Sequence, residues 1–277
     1  MVTKPKLGQN FLVDRGAMNK IVEALGDISH TTVVEIGPGK AALTDLLAAR
    51  AGRLIAVELD RVLAAQLRMK FSRQPNVEIL EADILSVDIS TMVGNRPGPL
   101  RDLRPSERPT ARIVGNLPYY ITSDILLHLF RFHPCIESIV IMVQLEVAER
   151  IAATPGVRDY GLLSATAQMY ARVEKLFTLP PGAFAPPPKV HSAVLRLDVH
   201  PRFEEFGVEE NGFIEFLKKL FGQKRKTLAN NLRAYYDKPL VESALDEASL
   251  EGGIRAEAVE LPQMAALYRS LAGAHMK

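Results

Sequence analysis

At 277 residues the chain has room for one large domain and a smaller one, each with its own core. Hydrophobic residues make up 47% and charged residues 24%, and the net charge is only +2, so any case for an anionic partner must rest on local clustering. The single cysteine, Cys135, excludes an internal disulfide and a multi-cysteine zinc site and reads as apolar filler. With no run of 18 apolar residues and no leader pattern, a reduced, cytoplasmic protein that does not touch membrane is expected.

Residues 4–9 read as an extended arm, because Pro5 and Gly8 discourage helix. Asp14-Arg15 opens a helix with Met18, Ile21, Val22 and Leu25 at helical spacing, stopped by Gly26. Thr32–Ile36 is a β-branched strand ending in Gly37-Pro38-Gly39, with a helix beyond marked by Leu43, Leu46 and Leu47. Leu54–Val57 and Val77–Leu80 are further strands, closed by Glu58-Leu59-Asp60 and Glu81-Ala82-Asp83, with a helix from Arg61 to Phe71 between them. Strands alternating with helices predict a parallel sheet wound by right-handed crossovers.

The Pro-, Gly- and Arg-rich stretch from Val93 to Thr110 reads as a solvated surface loop. Strands follow at Arg112–Val114 and Ser138–Val143, with helices near Asp124–Phe132 and Val147–Ala153 and a further segment at Ala171–Phe177. Val190–Val199 alternates in a way that predicts an antiparallel edge strand. Beyond His200-Pro201 the pattern turns helical, which puts a domain boundary after residue 199. The expected domains are therefore 1–199 and 200–277.

Within this frame Asn116-Leu117-Pro118-Tyr119 follows the apolar strand ending at Gly115. The tetrapeptide offers an amide, main-chain carbonyls held by a proline, and an aromatic ring. It has no nucleophile, metal ligand or strong base. Such a set can grip the exocyclic amino group of a flat base, with acceptors for its hydrogens and a ring to stack on. That suits attack by a planar amine on an already activated electrophile.

Glu35-Ile36-Gly37-Pro38-Gly39, between a strand and a helix, is a nucleotide-type turn. Glu58 lies 21 positions beyond Gly37, close to the roughly 20 expected for an acid on a ribose diol, and Asp83 ends the next strand, where it can accept from an adenine amino group. Three acids in succession at strand carboxyl ends imply an adenosine-containing cofactor. Proline inside the turn is an awkward fit for a dinucleotide pyrophosphate. S-adenosylmethionine has no phosphate, and its sulfonium is the electrophile that the tetrapeptide lacks.

Gly8-Gln9-Asn10-Phe11-Leu12, Glu35–Gly39, Val57–Asp60, Glu81–Asp83, Asn116–Ile121, Phe184–Val190 and Gly222–Leu228 occur in this order. Together they resemble the small-subunit rRNA adenine dimethyltransferase family of the KsgA type, from Lys6 to about Leu232. The resemblance implies an α/β class I methyltransferase (Rossmann-like) fold, with a mostly parallel seven-stranded sheet and a small all-helical C-terminal domain that binds rRNA. It implies S-adenosylmethionine contacts at Asn10, Leu12, Gly37, Glu58, Asp83 and Asn116. It also implies catalysis by Asn116, Leu117, Pro118 and Tyr119, and clamping of the target base by Tyr119 and Phe184. The family usually reads Gly-Pro-Gly-x-Gly-x-Leu-Thr, and here Ala41 replaces the third glycine. Its methyl is expected to crowd the cofactor or shift the helix start.

Leu217 to Lys238 concentrates charge: Lys218, Lys219, Lys224, Arg225, Lys226, Arg233 and Lys238 against Asp237. Phe213, Phe216, Leu217, Leu220, Leu228 and Leu232 supply a helical apolar face, so the basic groups are expected to point outward. Lys224, Arg225 and Lys226 are the expected contacts to the backbone of structured rRNA. The six histidines, including His128, His133 and His191, show no metal spacing, and no metal is expected.

The resulting expectation is N6,N6-dimethylation of two adjacent adenosines near the 3′ end of small-subunit rRNA, within a precursor subunit, by a monomer that serves subunit biogenesis. Two alternatives stay open at this point. One is a large-subunit rRNA methyltransferase of the macrolide-resistance type; the other is an assembly factor that acts mainly by docking. A nicotinamide oxidoreductase lacks an acid/base set for hydride transfer.

Overall fold

The computed structural model describes residues 10–94 and 110–272. The extended arm over 4–9 and most of the loop over 93–110 lie outside the described residues. Leading into the second of these, Ile89–Val93 is a short helix, with the Asp88 carboxylate accepting from the N–H groups of Ser90 and Thr91.

Seven strands form the central sheet: β2 (Thr32–Ile36), β3 (Arg53–Glu58), β4 (Val77–Glu81), β5 (Ala111–Asn116), β6 (Ile136–Gln144), β7 (Ala171–Leu179) and β9 (Ser192–Val199). Their order is β4-β3-β2-β5-β6-β9-β7. The first five are parallel and β9 runs antiparallel to β6. The mostly parallel seven-stranded sheet is therefore present, with one correction: β9 is interior and β7 is the edge. Five of the eight residues of β9 are buried and none is exposed, whereas β7 exposes Arg172, Glu174 and Lys175. Charges of that kind suit an edge strand.

Helices cover both faces, so β2, β5 and β6 read as nearly continuous apolar runs rather than alternating ones. Val33, Leu54, Val114, Val140 and Val194 share one core cluster with Ile21, Val22 and Leu25. By the alternation of strand side chains, Val34, Ile55, Ile113 and Ile139 face the other way. At Gly115 the register brings β5 against Ile36 of β2, and a Cβ there would lie 2.6 Å from the Ile36 carbonyl oxygen. Only glycine fits that approach.

The helices begin where short polar side chains cap them. Asp14 accepts from Ala17 N–H ahead of α1 (Arg15–Glu23), and Asp60 accepts from Val62 and Leu63 ahead of α3 (Arg61–Lys70). A two-stranded ladder joins β1 (Phe11–Leu12) to β8 (Phe184–Ala185), pairing Leu12 with Phe184.

The chain divides into two compact units, and the expected boundaries need correction. One unit holds the described residues up to Ala148 with Glu174–Val199; the other holds Glu149–Val173 and the described residues from His200 onward. The division after residue 199 is present, but 149–173 groups with the helical unit. Its α7 (Leu162–Tyr170) is tied there: the Tyr170 hydroxyl donates to Glu210 at 2.8 Å, and Arg202 N–H donates to the Met169 carbonyl at 2.9 Å. The core of this unit is built from Phe213, Phe216, Leu217, Leu220, Leu228, Leu232, Val241 and Leu267, all fully buried or nearly so. Among the described residues no helix is long and apolar enough to cross a membrane.

Candidate active site

The order of strands reverses at β2: β3 and β4 lie on one side of it and β5 and β6 on the other. Open α/β sheets bind ligands outside the strand carboxyl ends at such a switch point. A cavity of about 260 Å³ lies there, in the sheet unit. Asn10, Leu12, Gly37, Glu58, Asp83 and Asn116 all line it, and so do Leu117, Pro118 and Tyr119. All nine positions assigned to cofactor or catalysis from the sequence thus share one cavity.

The turn after β2 shapes its floor. Gly37, Gly39 and Ala41 take the left-handed conformation, with φ of 67°, 57° and 69°. A Cβ on Gly39 would meet the Phe11 ring at 2.9 Å, so the ring sits directly on the turn. Ala41 accepts the same backbone state at some cost, since L-residues disfavour it. Its methyl lies in the apolar core cluster and not on the cavity lining. The expected crowding of the cofactor is therefore not seen; the methyl is turned inward.

Glu58 is buried, and its two carboxylate oxygens accept the N–H of Gly39 at 3.0 Å and of Asp60 at 2.9 Å. One acid thereby ties the β2 turn to the end of β3 and is held rigidly on the cavity wall. Asp83 is exposed; one oxygen caps the Leu85 N–H at 3.0 Å and the other accepts nothing from the described residues.

Asn116 is oriented by its amide nitrogen, which donates to the Asn10 carbonyl at 2.9 Å. That contact turns the amide oxygen into the position of the available acceptor. The Pro118 carbonyl already accepts the Ile121 N–H and the Thr122 hydroxyl, both at 3.2 Å, at the start of α5 (Thr122–Phe130). The Leu117 carbonyl accepts no hydrogen bond from the described residues. Of these two carbonyls, that of Leu117 is the one left open for an amine hydrogen. Tyr119 is half-buried, its hydroxyl 2.7 Å from that of the fully buried Ser192, and burial raises its pKa.

One expected placement does not hold. Phe184 is 3% exposed, belongs to the core cluster and does not line the cavity. It stands opposite Leu12 in the β1–β8 ladder, and both side chains are buried in the same core cluster. In the helical unit, Gln223–Lys226 is not helical but a turn between α9 (Glu210–Leu220) and α10 (Leu228–Leu232). Lys224, Arg225 and Lys226 are exposed on it, with the Lys224 ammonium donating to the Arg158 carbonyl at 3.0 Å. Part of the basic run is neutralised by acids outside it: Lys218 pairs with Glu215, and Arg233 and Lys238 with Glu242.

The sequence reading counted Glu35 among the acids at strand ends but gave it no contact of its own. It lines the cavity at 2% exposure, and its Oε2 atom has no hydrogen-bond partner. Desolvation raises its pKa to about 8, and the nearby Glu58 and Asp45 add to the rise. The Thr44 hydroxyl lies beside it and opposes the shift, without a hydrogen bond of ordinary geometry. Its signal was present in the sequence as an acid in an otherwise apolar strand. Phe11 and Lys40 also line the cavity, with the Lys40 ammonium 4.6 Å from the Phe11 ring centroid.

The lining tests the cofactor. Its carboxylic acids are Glu35, Glu58 and Asp83, of which Glu35 keeps its proton below about pH 8, and its single base is Lys40. An acid-rich wall repels a pyrophosphate and suits a ligand that carries positive charge. Apolar Ile36, Pro38, Leu59 and Ile84 complete a surface for a purine and a thioether-like chain. The residues fit S-adenosylmethionine. Among the described residues no cluster of His, Cys, Asp and Glu is arranged to hold a metal ion.

Fold and cavity together define a methyltransferase of the Rossmann-like class. The chain is similar over 95% of its length to a solved 23S rRNA methyltransferase, ErmE, covering 99% of that chain at 30% identity and a TM-score of 0.69. The model for ribosomal RNA adenine dimethylase matches residues 2–272, and the chain belongs to that family. Relatives named ribosomal RNA small subunit methyltransferase A share 64% identity in Koribacter versatilis and 56% in Acidobacterium capsulatum. Each alignment covers 97% of this chain, and 94% and 91% of the respective relative.

Proposed function

We propose that this protein dimethylates the N6 amino groups of adenosines in small-subunit rRNA with S-adenosylmethionine as donor. The observation that carries the reading is the amide of Asn116: tied through its nitrogen to Asn10, it offers its oxygen beside the open Leu117 carbonyl, on the wall of an acid-lined cavity. Open acceptors on two successive residues match the two hydrogens of an exocyclic amine.

When bound, S-adenosylmethionine supplies a methyl group activated by the positive sulfur. Asn116 and Leu117 hold the amine hydrogens and direct the nitrogen lone pair, which is otherwise delocalised into the purine. Tyr119 presents a ring fixed by its bond to Ser192, and stacking of that kind contributes about 1–3 kcal/mol. Catalysis is then by position and electrostatics, without a side-chain base. The proton released is that of an N-alkylated, cationic amine, which water accepts readily.

The finer reading is two adjacent adenosines near the 3′ end, within a precursor subunit, by a cytoplasmic monomer. The family resemblance of the Asn116–Ile121 and Phe184–Val190 segments supports the adenosine target; the cytoplasmic monomer rests on the sequence pattern alone. The expected organisation into a cofactor-binding unit and a helical RNA-binding unit is retained in this reading, with residues 149–173 moved to the second. The large-subunit alternative is not favoured, because the relatives at 64% and 56% identity carry the small-subunit name, against 30% for the 23S enzyme. The test is mass spectrometry of small- and large-subunit RNA after incubation with labelled donor. Two dimethyladenosines in small-subunit RNA alone are expected; label in large-subunit RNA only would overturn the reading.

A further inference from the structure

We propose that Tyr120 is a stacking platform for the nucleobase flanking the adenosine held at Asn116, which makes it a specificity-determining residue. The inference rests on the function proposed above and extends it from the reacting base to its neighbour. Tyr120 lines the cavity, yet its side chain is 66% exposed. It has no hydrogen bond, ion pair or ring contact with any described residue. Tyr119, one residue earlier, is half-buried and tied to Ser192. Two adjacent aromatics thus stand in different states, one fixed in the wall and one uncovered at the mouth.

The uncovered ring is not on a loose backbone. The preceding turn is closed by the Ile121 N–H on the Pro118 carbonyl, and Ile125 N–H bonds back to Ile121 as α5 begins. The backbone that carries the ring is therefore ordered beside the cavity, and the ring makes no ring, cation or hydrogen-bond contact with the described residues. Among the described residues the other exposed large aromatic is Tyr235, and the Lys219 ammonium lies 5.3 Å from its ring centroid. Leu59, also exposed and lining the cavity, is aliphatic and offers no stacking face. A flat, solvent-facing ring beside a base-sized cavity matches a second base better than an aliphatic partner, because every base presents a π-face.

The experiment uses the full chain with small-subunit particles isolated from cells that lack the modification. Tyr120→Ala is expected to raise KM for the particle about tenfold, with kcat and donor affinity by calorimetry close to wild type. Tyr120→Phe, which keeps the ring, should behave as wild type. The chain contains no tryptophan, so Tyr120→Trp gives a single reporter whose emission should fall on adding the particle and not on adding the donor alone. An unchanged KM in Tyr120→Ala, or reporter emission indifferent to the particle, would overturn the proposal. If wild-type protein transfers no methyl to the particle, the underlying function fails instead.

Discussion

The cavity of the sheet unit and the basic turn of the helical unit handle polar groups in opposite ways. In the cavity, Asn116, Glu58 and Tyr119 are each held by a hydrogen bond of 2.7–3.0 Å, so their free atoms point in fixed directions. On the turn, Arg225 and Lys226 stand exposed without a partner among the described residues, while Lys218, Arg233 and Lys238 are paired with acids. Chemistry on an amine needs orientation; attraction of phosphate needs only charge near water. The difference predicts that cavity substitutions change turnover, and that turn substitutions change affinity and its dependence on salt.

The strongest challenge to this contrast is Asn116→Ala, which removes the oriented acceptor. A loss of kcat of about a hundredfold or more is expected, comparable to losing one preorganised hydrogen-bonding group elsewhere. Particle binding in a filter or sedimentation assay should change little. Equal loss of binding would erase the distinction between the two regions.

Glu35→Gln tests the cavity through stability. A carboxyl whose pKa rises from 4.5 to about 8 on folding keeps a proton that the unfolded chain has released. Folding stability therefore falls as pH rises from about 4.5 to about 8 and levels off above that. The glutamine variant has no charge to bury, so its stability should vary less across that window. At pH 8.5 it should exceed wild type by up to roughly a few kcal/mol, as read by denaturant melts.

Replacing Lys224, Arg225 and Lys226 together with alanine should leave kcat near wild type and weaken particle binding by about tenfold or more at moderate salt. The slope of log affinity against log salt should become shallower by about two. A large drop in kcat with unchanged salt dependence would contradict the assignment.

Much of this was legible because local chemistry marks it. Thr32–Ile36 is a strand in both readings, and Asp14 and Asp60 announce the helices they cap. The site residues at strand ends were readable since each strand signals its own carboxyl terminus. Helix α7 was not read, because seven of its nine residues are buried and no amphipathic period survives. The interior place of β9 and the inward turn of Phe184 depend on pairing with distant segments, which no local pattern records. Lys218, Arg233 and Lys238 looked like free charge in a sequence window that left out Glu215 and Glu242.

The smallest effect is expected at Ala41. Replacement by glycine relieves a left-handed alanine, worth about 1 kcal/mol, but loses a buried methyl of about 0.8 kcal/mol and adds chain flexibility of about 0.5–1 kcal/mol. Stability should therefore shift by less than about 1 kcal/mol, and donor affinity by calorimetry should not change. A marked gain in affinity would show that the methyl reaches the cavity after all.

The engagement of the Pro118 carbonyl at the head of α5 leaves the grip on the amine shared between one side chain and one peptide oxygen. The second of these is written in no codon, since every amino acid at position 117 brings a carbonyl with it. Single-residue drift can silence this half of the grip only by bending the turn, so inactive descendants of this chain should carry their lesion at position 116 more often than at 117.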